Sequence, residues 1–162
     1  MKHSHDMLVQ RALRWLLGTM KCKYAFAEIH TPLPIVPDAI GFRGAHSILV
    51  ECKVSRPDFR ADRKKAIHKA ASTCPGQERW YLTPKGLVTP REVPKGWGLA
   101  EVRGSRIRKI KAPPASPASS ARARADLKLL SAAMHRMILG VPFDTETGRF
   151  APYQSLLSET AK

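Results

Sequence analysis

From Pro37 to Lys53 the chain reads as two extended stretches folded back about Gly44, and that reversal fixes which side chains share a face. Residues 36–42 and 46–53 are expected as strands joined by Arg43, Gly44 and Ala45, with glycine supplying the positive φ of a tight turn. Strand alternation sends Ile48, Val50 and Cys52 to one face and Ser47, Leu49, Glu51 and Lys53 to the other. A two-residue turn at Gly44-Ala45 pairs Phe42 with Ser47, Ile40 with Leu49 and Asp38 with Glu51. Opposed Cβ atoms lie about 4.5–5.5 Å apart. Two carboxylates so placed repel each other unless a cation lies between them.

A hard divalent cation answers that repulsion. Mg²⁺ commonly takes one or two carboxylates and keeps its other positions for water or phosphate oxygens. The backbone carbonyl of Cys52 could add a ligand from the same strand. Lys53 is expected roughly 6.5–7 Å along the strand from Glu51, where an ammonium could stabilise transition-state charge or orient an attacking water. The set suits phosphodiester hydrolysis, and Lys53→Ala is expected to abolish cleavage with DNA binding largely kept. The competing bland reading makes Asp38 a solvent-facing turn residue and Glu51–Lys53 a surface ion pair worth ~0–1 kcal/mol. Two other acid-x-Lys triplets, Asp62-Arg63-Lys64 and Asp126-Leu127-Lys128, fall in segments that read as helices without an opposed acid.

Around this hairpin the pattern alternates between elements. Residues 5–18 repeat apolar groups at helical spacing (Val9, Leu13, Leu16, Leu17, then Met20), with Arg11 and Arg14 on another side and Gly18 as a stop. Tyr24 to Ile29 reads as a strand broken by Pro32 and Pro34. Ser55-Arg56-Pro57-Asp58 is a helix start, with Ser55 as cap and Pro57 in the first turn. Phe59, Ala66, Ile67 and Ala70 would be its buried stripe. Further strands are expected at 79–83, 98–102 and 106–111, with Trp80, Tyr81 and Trp97 as core. Residues 112–121, APPASPASSA, can bury almost nothing and read as a linker. A helix over 122–140 follows, with Leu127, Leu130, Met134, Met137 and Ile138 on the face expected to pack on the core or on a second subunit. Residues 141–162 form a weakly patterned tail.

The charge balance is unusual for a chain of 162 residues: 28 Lys and Arg against 13 Asp and Glu leave +15. That excess makes a polyanion the first partner to consider. Arg60, Arg63, Lys64 and Lys65 on the second helix, and Arg106, Arg108, Lys109 and Lys111 with Arg103 on the last strand, are the candidate phosphate-binding residues. Six to ten such contacts would weaken binding ~10³–10⁵-fold between about 50 and 200 mM salt. Cys22, Cys52 and Cys74 form no CxxC pair, which argues against a disulfide scaffold and for a reducing, cytoplasmic location. A zinc site from His68 and Cys74 lacks partners at ligand spacing. His30, His46 and His68 show no catalytic spacing. No apolar run approaches the ~20 residues that cross a bilayer, so no membrane partner is expected.

Pro37-Asp38…Glu51-Cys52-Lys53, preceded by the first helix and followed by Ser55 to Lys65, resembles the PD-(D/E)XK nuclease superfamily of restriction endonucleases, junction resolvases and small phage or bacterial repair-type nucleases. Trp80 to Leu87 and Gly96 to Leu99 are similar to small phage members. The resemblance covers residues 5–111, taken as the core. It implies an α/β fold with a restriction-endonuclease-like central mixed sheet and flanking helices in the order α-β-β-β-α-β. It also implies Mg²⁺- or Mn²⁺-dependent DNA hydrolysis in phage DNA processing, recombination or repair; the residues themselves do not separate DNA from RNA as substrate. Asp38 and Glu51 match the family's metal ligands and Lys53 its catalytic lysine. Many members carry a further glutamate on the first helix; here that helix has none, and Glu28 is the nearest candidate ligand. Two-strand cleavage often uses two active sites, which makes a homodimer a candidate assembly. The rival reading is a non-catalytic basic DNA-binding or inhibitor protein on a nuclease-like scaffold. A membrane-surface or ribosome-associated basic protein is a third, and it leaves the paired acids unexplained.

Overall fold

The computed structural model of the chain describes residues 4–33, 35–63, 74–114 and 119–151. Its elements run α1 (His5–Gly18), β1 (Tyr24–Ala27), β2 (Ala39–Arg43), β3 (His46–Cys52), α2 (Arg56–Arg63), β4 (Glu78–Pro84), β5 (Gly98–Arg103), β6 (Arg106–Lys111), α3 (Ser120–Ile138), β7 (Phe143–Asp144) and β8 (Arg149–Phe150). The fold is mixed α/β. Six strands form one sheet in chain order; β3, β4 and β5 run parallel and the outer pairings are antiparallel. A two-residue hairpin needs no crossover, whereas each parallel pairing requires a long connection. Residues 53–77 and 85–97 are those connections.

The β2–β3 register is the one the turn dictates: Phe42 faces Ser47, Ile40 faces Leu49 and Ala39 faces Val50, with Gly44 at φ 58°. β3 lies inside the sheet and both its faces are buried. Ile48, Val50 and Cys52 meet α1 through Leu8, Leu13 and Leu16, and Trp15 of α1 packs edge-on against Trp80 at 5.4 Å. α1 and the segment after it lie so close to β2 that a Cβ on Gly41 would come within 2.8 Å of Cys22 Sγ and 3.2 Å of Leu16 Cδ2. Across the sheet, Leu49, Phe59, Tyr81, Trp97 and Leu99 form a second core, in which Tyr81 stacks on Trp97 at 4.6 Å. Trp80, Tyr81 and Trp97 are thus core residues, as expected.

Several sequence expectations need correction. β1 stops at Ala27, because Glu28 adopts a left-handed φ of 51° and leaves the strand. Leu17 does not join the α1 stripe and is exposed. The inward face of α3 is Arg122, Ala125, Asp126, Leu129 and Ala133, whereas Leu127, Met134, Met137 and Ile138 face outward. Leu129 and Ala133 pack on Phe26, Ile29, Ile40 and Phe42. Asp126 anchors the helix: its Oδ2 accepts the Ser47 hydroxyl at 2.6 Å and its Oδ1 the Gly76 N–H at 2.9 Å. α3 already begins at Ser120, capped by Ser119, inside the stretch read as linker. The first part of the tail is ordered as the β7–β8 hairpin, whose Phe143 and Phe150 pack on Phe26. Ala66, Ile67, His68, Ala70, part of the linker and residues 152–162 lie outside the described residues. Among those described, no helix is long and apolar enough to cross a membrane.

Candidate active site

The β2–β3 ladder ends at Ala39–Val50, and the chemistry sits just beyond it. There the N–H of Cys52, which would continue the ladder, donates to Asp38 Oδ2 at 2.7 Å. In a strand the N–H and C=O of one residue face the same neighbour, so the Cys52 carbonyl is on the Asp38 side. Glu51 and Lys53 share the opposite face of β3 from Cys52 and are both buried, at 5% and 4% exposure, so the reading as a surface ion pair fails.

Lys53 Nζ is the hub. It lies 3.0 Å from Glu51 Oε2, 3.3 Å from Asp62 Oδ1 and 3.8 Å from Asp38 Oδ2. The amine is therefore among the carboxylates, not displaced along the strand. Its straight side chain can fold back from the strand end, and burial leaves it no water to reach. Asp62 comes from α2, and its Oδ2 accepts the Tyr81 hydroxyl at 2.8 Å. His5, at the start of α1, completes the rim with Nε2 3.3 Å from Asp38 Oδ1.

Three carboxylates and one ammonium leave a formal charge of −2 when all are ionised. Burial would lower the Lys53 pKa, but the charges of Glu51, Asp38 and Asp62 outweigh it and keep the amine protonated. Burial opposes ionisation of Asp38 too. There the His5 hydrogen bond, the Lys53 charge and the Cys52 N–H prevail, holding the carboxyl below its ordinary range. Glu51 is the group left short. Burial, then the charge of Asp38, push it up to about 8. Its Oε1 is buried with no hydrogen-bond partner among the described residues. A buried oxygen without a partner costs about 1–3 kcal/mol and marks a place where an ion, water or proton belongs.

Glu28 is not brought to this hub. With His5 and Asp6 it forms an adjoining cluster whose ligand atoms lie within 4.8 Å of one another. Arg149 of the β7–β8 hairpin occupies that cluster, with Nη2 2.9 Å from Asp6 and Nε 2.7 Å from Glu28, the latter contact not aligned as a hydrogen bond. Of the candidate phosphate-binding residues, Arg60 is exposed on α2, while Lys64 and Lys65 lie outside the described residues. The β6 block divides between the two faces. Lys109 covers the Trp15 and Trp80 rings at 5.8 and 5.3 Å, and Lys111 reaches the Val93 carbonyl on the other side. Arg106 and Arg108 are exposed, and Arg103 is held by Glu101.

Sequence reasoning missed Asp62, His5 and Arg149. Asp62 carried a signal, since with Phe59 three residues before it on α2 it falls on the helix's inward face. His5 and Arg149 had none, because both meet the site only through tertiary folding. The cysteines are all buried and free.

No family model and no curated protein matches the chain. Among solved structures it is similar to a protein of unknown function from Silicibacter pomeroyi, with 20% identity and a TM-score of 0.62, covering 85% of this chain and 91% of that one. That likeness is one of fold.

Proposed function

We propose that the protein is a Mg²⁺- or Mn²⁺-dependent deoxyribonuclease with a restriction-endonuclease-like core. The observation that carries this reading is Lys53 Nζ within 3.0–3.8 Å of Glu51, Asp62 and Asp38 while Glu51 Oε1 is buried and has no partner among the described residues. The element order from α1 to β4, α-β-β-β-α-β, supports it as well. The donor set fits a hard cation, since the carboxylate charge exceeds what one ammonium neutralises. Asp38 and Glu51 would hold the ion, with the Cys52 carbonyl on the same side. Bound there, it would polarise a phosphate oxygen and lower the pKa of a water. Lys53, kept protonated by its neighbours, supplies positive charge for the developing phosphorane. Asp62, steadied by Tyr81, fixes the direction of the lysine head. His5 orients Asp38 from α1.

The rival, a non-catalytic DNA-binding or inhibitor protein, draws on one observation: Lys53 already neutralises part of the acid cluster without a metal. Plasmid and linear DNA incubated with Mg²⁺, Mn²⁺ or EDTA separate the two. The nuclease reading expects scission with metal and none with EDTA. Glu51→Gln and Asp38→Asn should cut at least a hundredfold more slowly while melting as the parent does. A gel shift with no strand scission under any metal condition favours the rival.

A further inference from the structure

Away from the acid cluster, a groove of about 500 Å³ runs between α1 and the β5–β6 hairpin. Its lining is one-sided in chemistry. Arg11, Arg14 and Arg106 bring three guanidinium groups, Thr19 and Ser105 bring hydroxyls, and no carboxylate contributes. Among the described residues neither Arg14 nor Arg106 has an acidic partner, and both are exposed. Arg11 spends one N–H on the Gly104 carbonyl, which ties the helix to the hairpin tip and leaves its other donors over. Trp15 forms part of the wall; it is 4% exposed, and its indole N–H is buried without an acceptor among the described residues. Lys109 lies over the same indole at 5.8 Å.

Three guanidinium groups with no carboxylate partner among the described residues, beside a buried indole N–H that lacks an acceptor there, describe a site for an oxyanion. Guanidinium forks match phosphate oxygens bidentately. The volume falls in the range of pockets that hold a small ligand, so the groove takes more than a lone phosphate. β6 is the edge strand of the sheet, and its exposed Arg108 continues the positive surface beyond the groove. We infer that the α1–β6 groove is a phosphate-binding track for a polynucleotide backbone, separate from the acid cluster, with Arg14 and Arg106 as its principal contacts. This rests on the reading of nucleic acid as partner and adds where the backbone is held.

The test is fluorescence anisotropy of a labelled 20-base-pair duplex in EDTA, so that binding is read whether or not the protein cleaves. Arg14→Gln with Arg106→Gln is compared with Arg124→Gln and Lys128→Gln, an equal charge change on exposed positions of α3. The groove variant should lose about tenfold or more in affinity at 100 mM salt. Its plot of log affinity against log salt should flatten by nearly two units, since each phosphate contact contributes about 0.9. The α3 pair should change affinity less than about twofold. Equal effects from the two pairs, or none from the groove pair, would overturn the assignment, and a cleavage defect in Glu51→Gln would be unaffected by either result. A calorimetric titration with pyrophosphate forms the second arm. Pyrophosphate binding that the groove pair abolishes, with duplex affinity unchanged, would mark a small-phosphate site and refute the backbone track.

Discussion

Asp126 and Glu51 are both buried carboxylates, Asp126 on α3 against β3 and Glu51 on β3 beside Asp62 of α2, and burial raises the pKa of both. Their surroundings differ. Asp126 has a donor on each oxygen, the Ser47 hydroxyl and the Gly76 N–H, and both donors are neutral. Glu51 has one oxygen on a shared ammonium and the other on no partner among the described residues. A polar group whose task is to seat a helix is fully satisfied by its own chain. A group left short after folding retains capacity for something from outside. The contrast separates a structural acid from a candidate ligand without reference to sequence motifs.

The largest test of this contrast is Lys53→Met. Removing the hub leaves three carboxylates without their common cation and should lower stability by about 3–5 kcal/mol, measured by urea unfolding in EDTA. Stability equal to the parent's would show that the ammonium does not hold the cluster. Burial of Lys53 also makes Lys53→Ala an unclean catalytic knock-out, and Glu51→Gln the better one. Next, Mg²⁺ at about a hundred times its Kd should stabilise the parent by about 2.7 kcal/mol. The gain should vanish in Glu51→Gln and persist in Asp126→Asn; a gain retained in Glu51→Gln removes Glu51 from the ligand set. Asp126→Ala should cost about 1–3 kcal/mol through the donors it strands, with the Mg²⁺ response kept. Loss of that response would merge the two centres into one network.

The smallest effect is a pH dependence. The folded pKa of Asp126 lies above its unfolded value, so its ionisation weakens the native state. Its contribution is present below the unfolded value of about 3.9 and is lost as pH rises through the folded one. Urea midpoints of the parent relative to Asp126→Asn should therefore fall as the pH rises above about 4. A difference that rises over that range would mean that the two neutral donors outweigh burial.

How much of this was legible in the sequence depends on the range of the interaction. The β2–β3 register was readable as far as Ala39–Val50, because one turn at Gly44 sets every pair after it; Asp38, expected opposite Glu51, lies beyond the last pair and accepts the Cys52 N–H instead. The burial of Trp80, Tyr81 and Trp97 followed from their strands. The orientation of α3 was not readable. Its inward stripe contains Arg122 and Asp126, so a search for apolar periodicity selects the opposite side. For Asp62 only the inward face of α2 was readable; its partners were not, because Lys53 follows β3 and Tyr81 lies in β4. The β7–β8 hairpin is too short to show a strand pattern, and packing on Phe26 is what orders it.

That hairpin carries one more consequence. Arg149 joins Asp6 and Glu28, and the Gly148 carbonyl accepts the Ala27 N–H, so the corner beside Asp38 is stitched from both extremes of the described chain. Contacts spanning over a hundred residues form late, because the loop they close must first be brought together. A nascent chain emerging from the ribosome would thus assemble the antiparallel strands early and carry a ragged acidic corner until the β7–β8 hairpin docked.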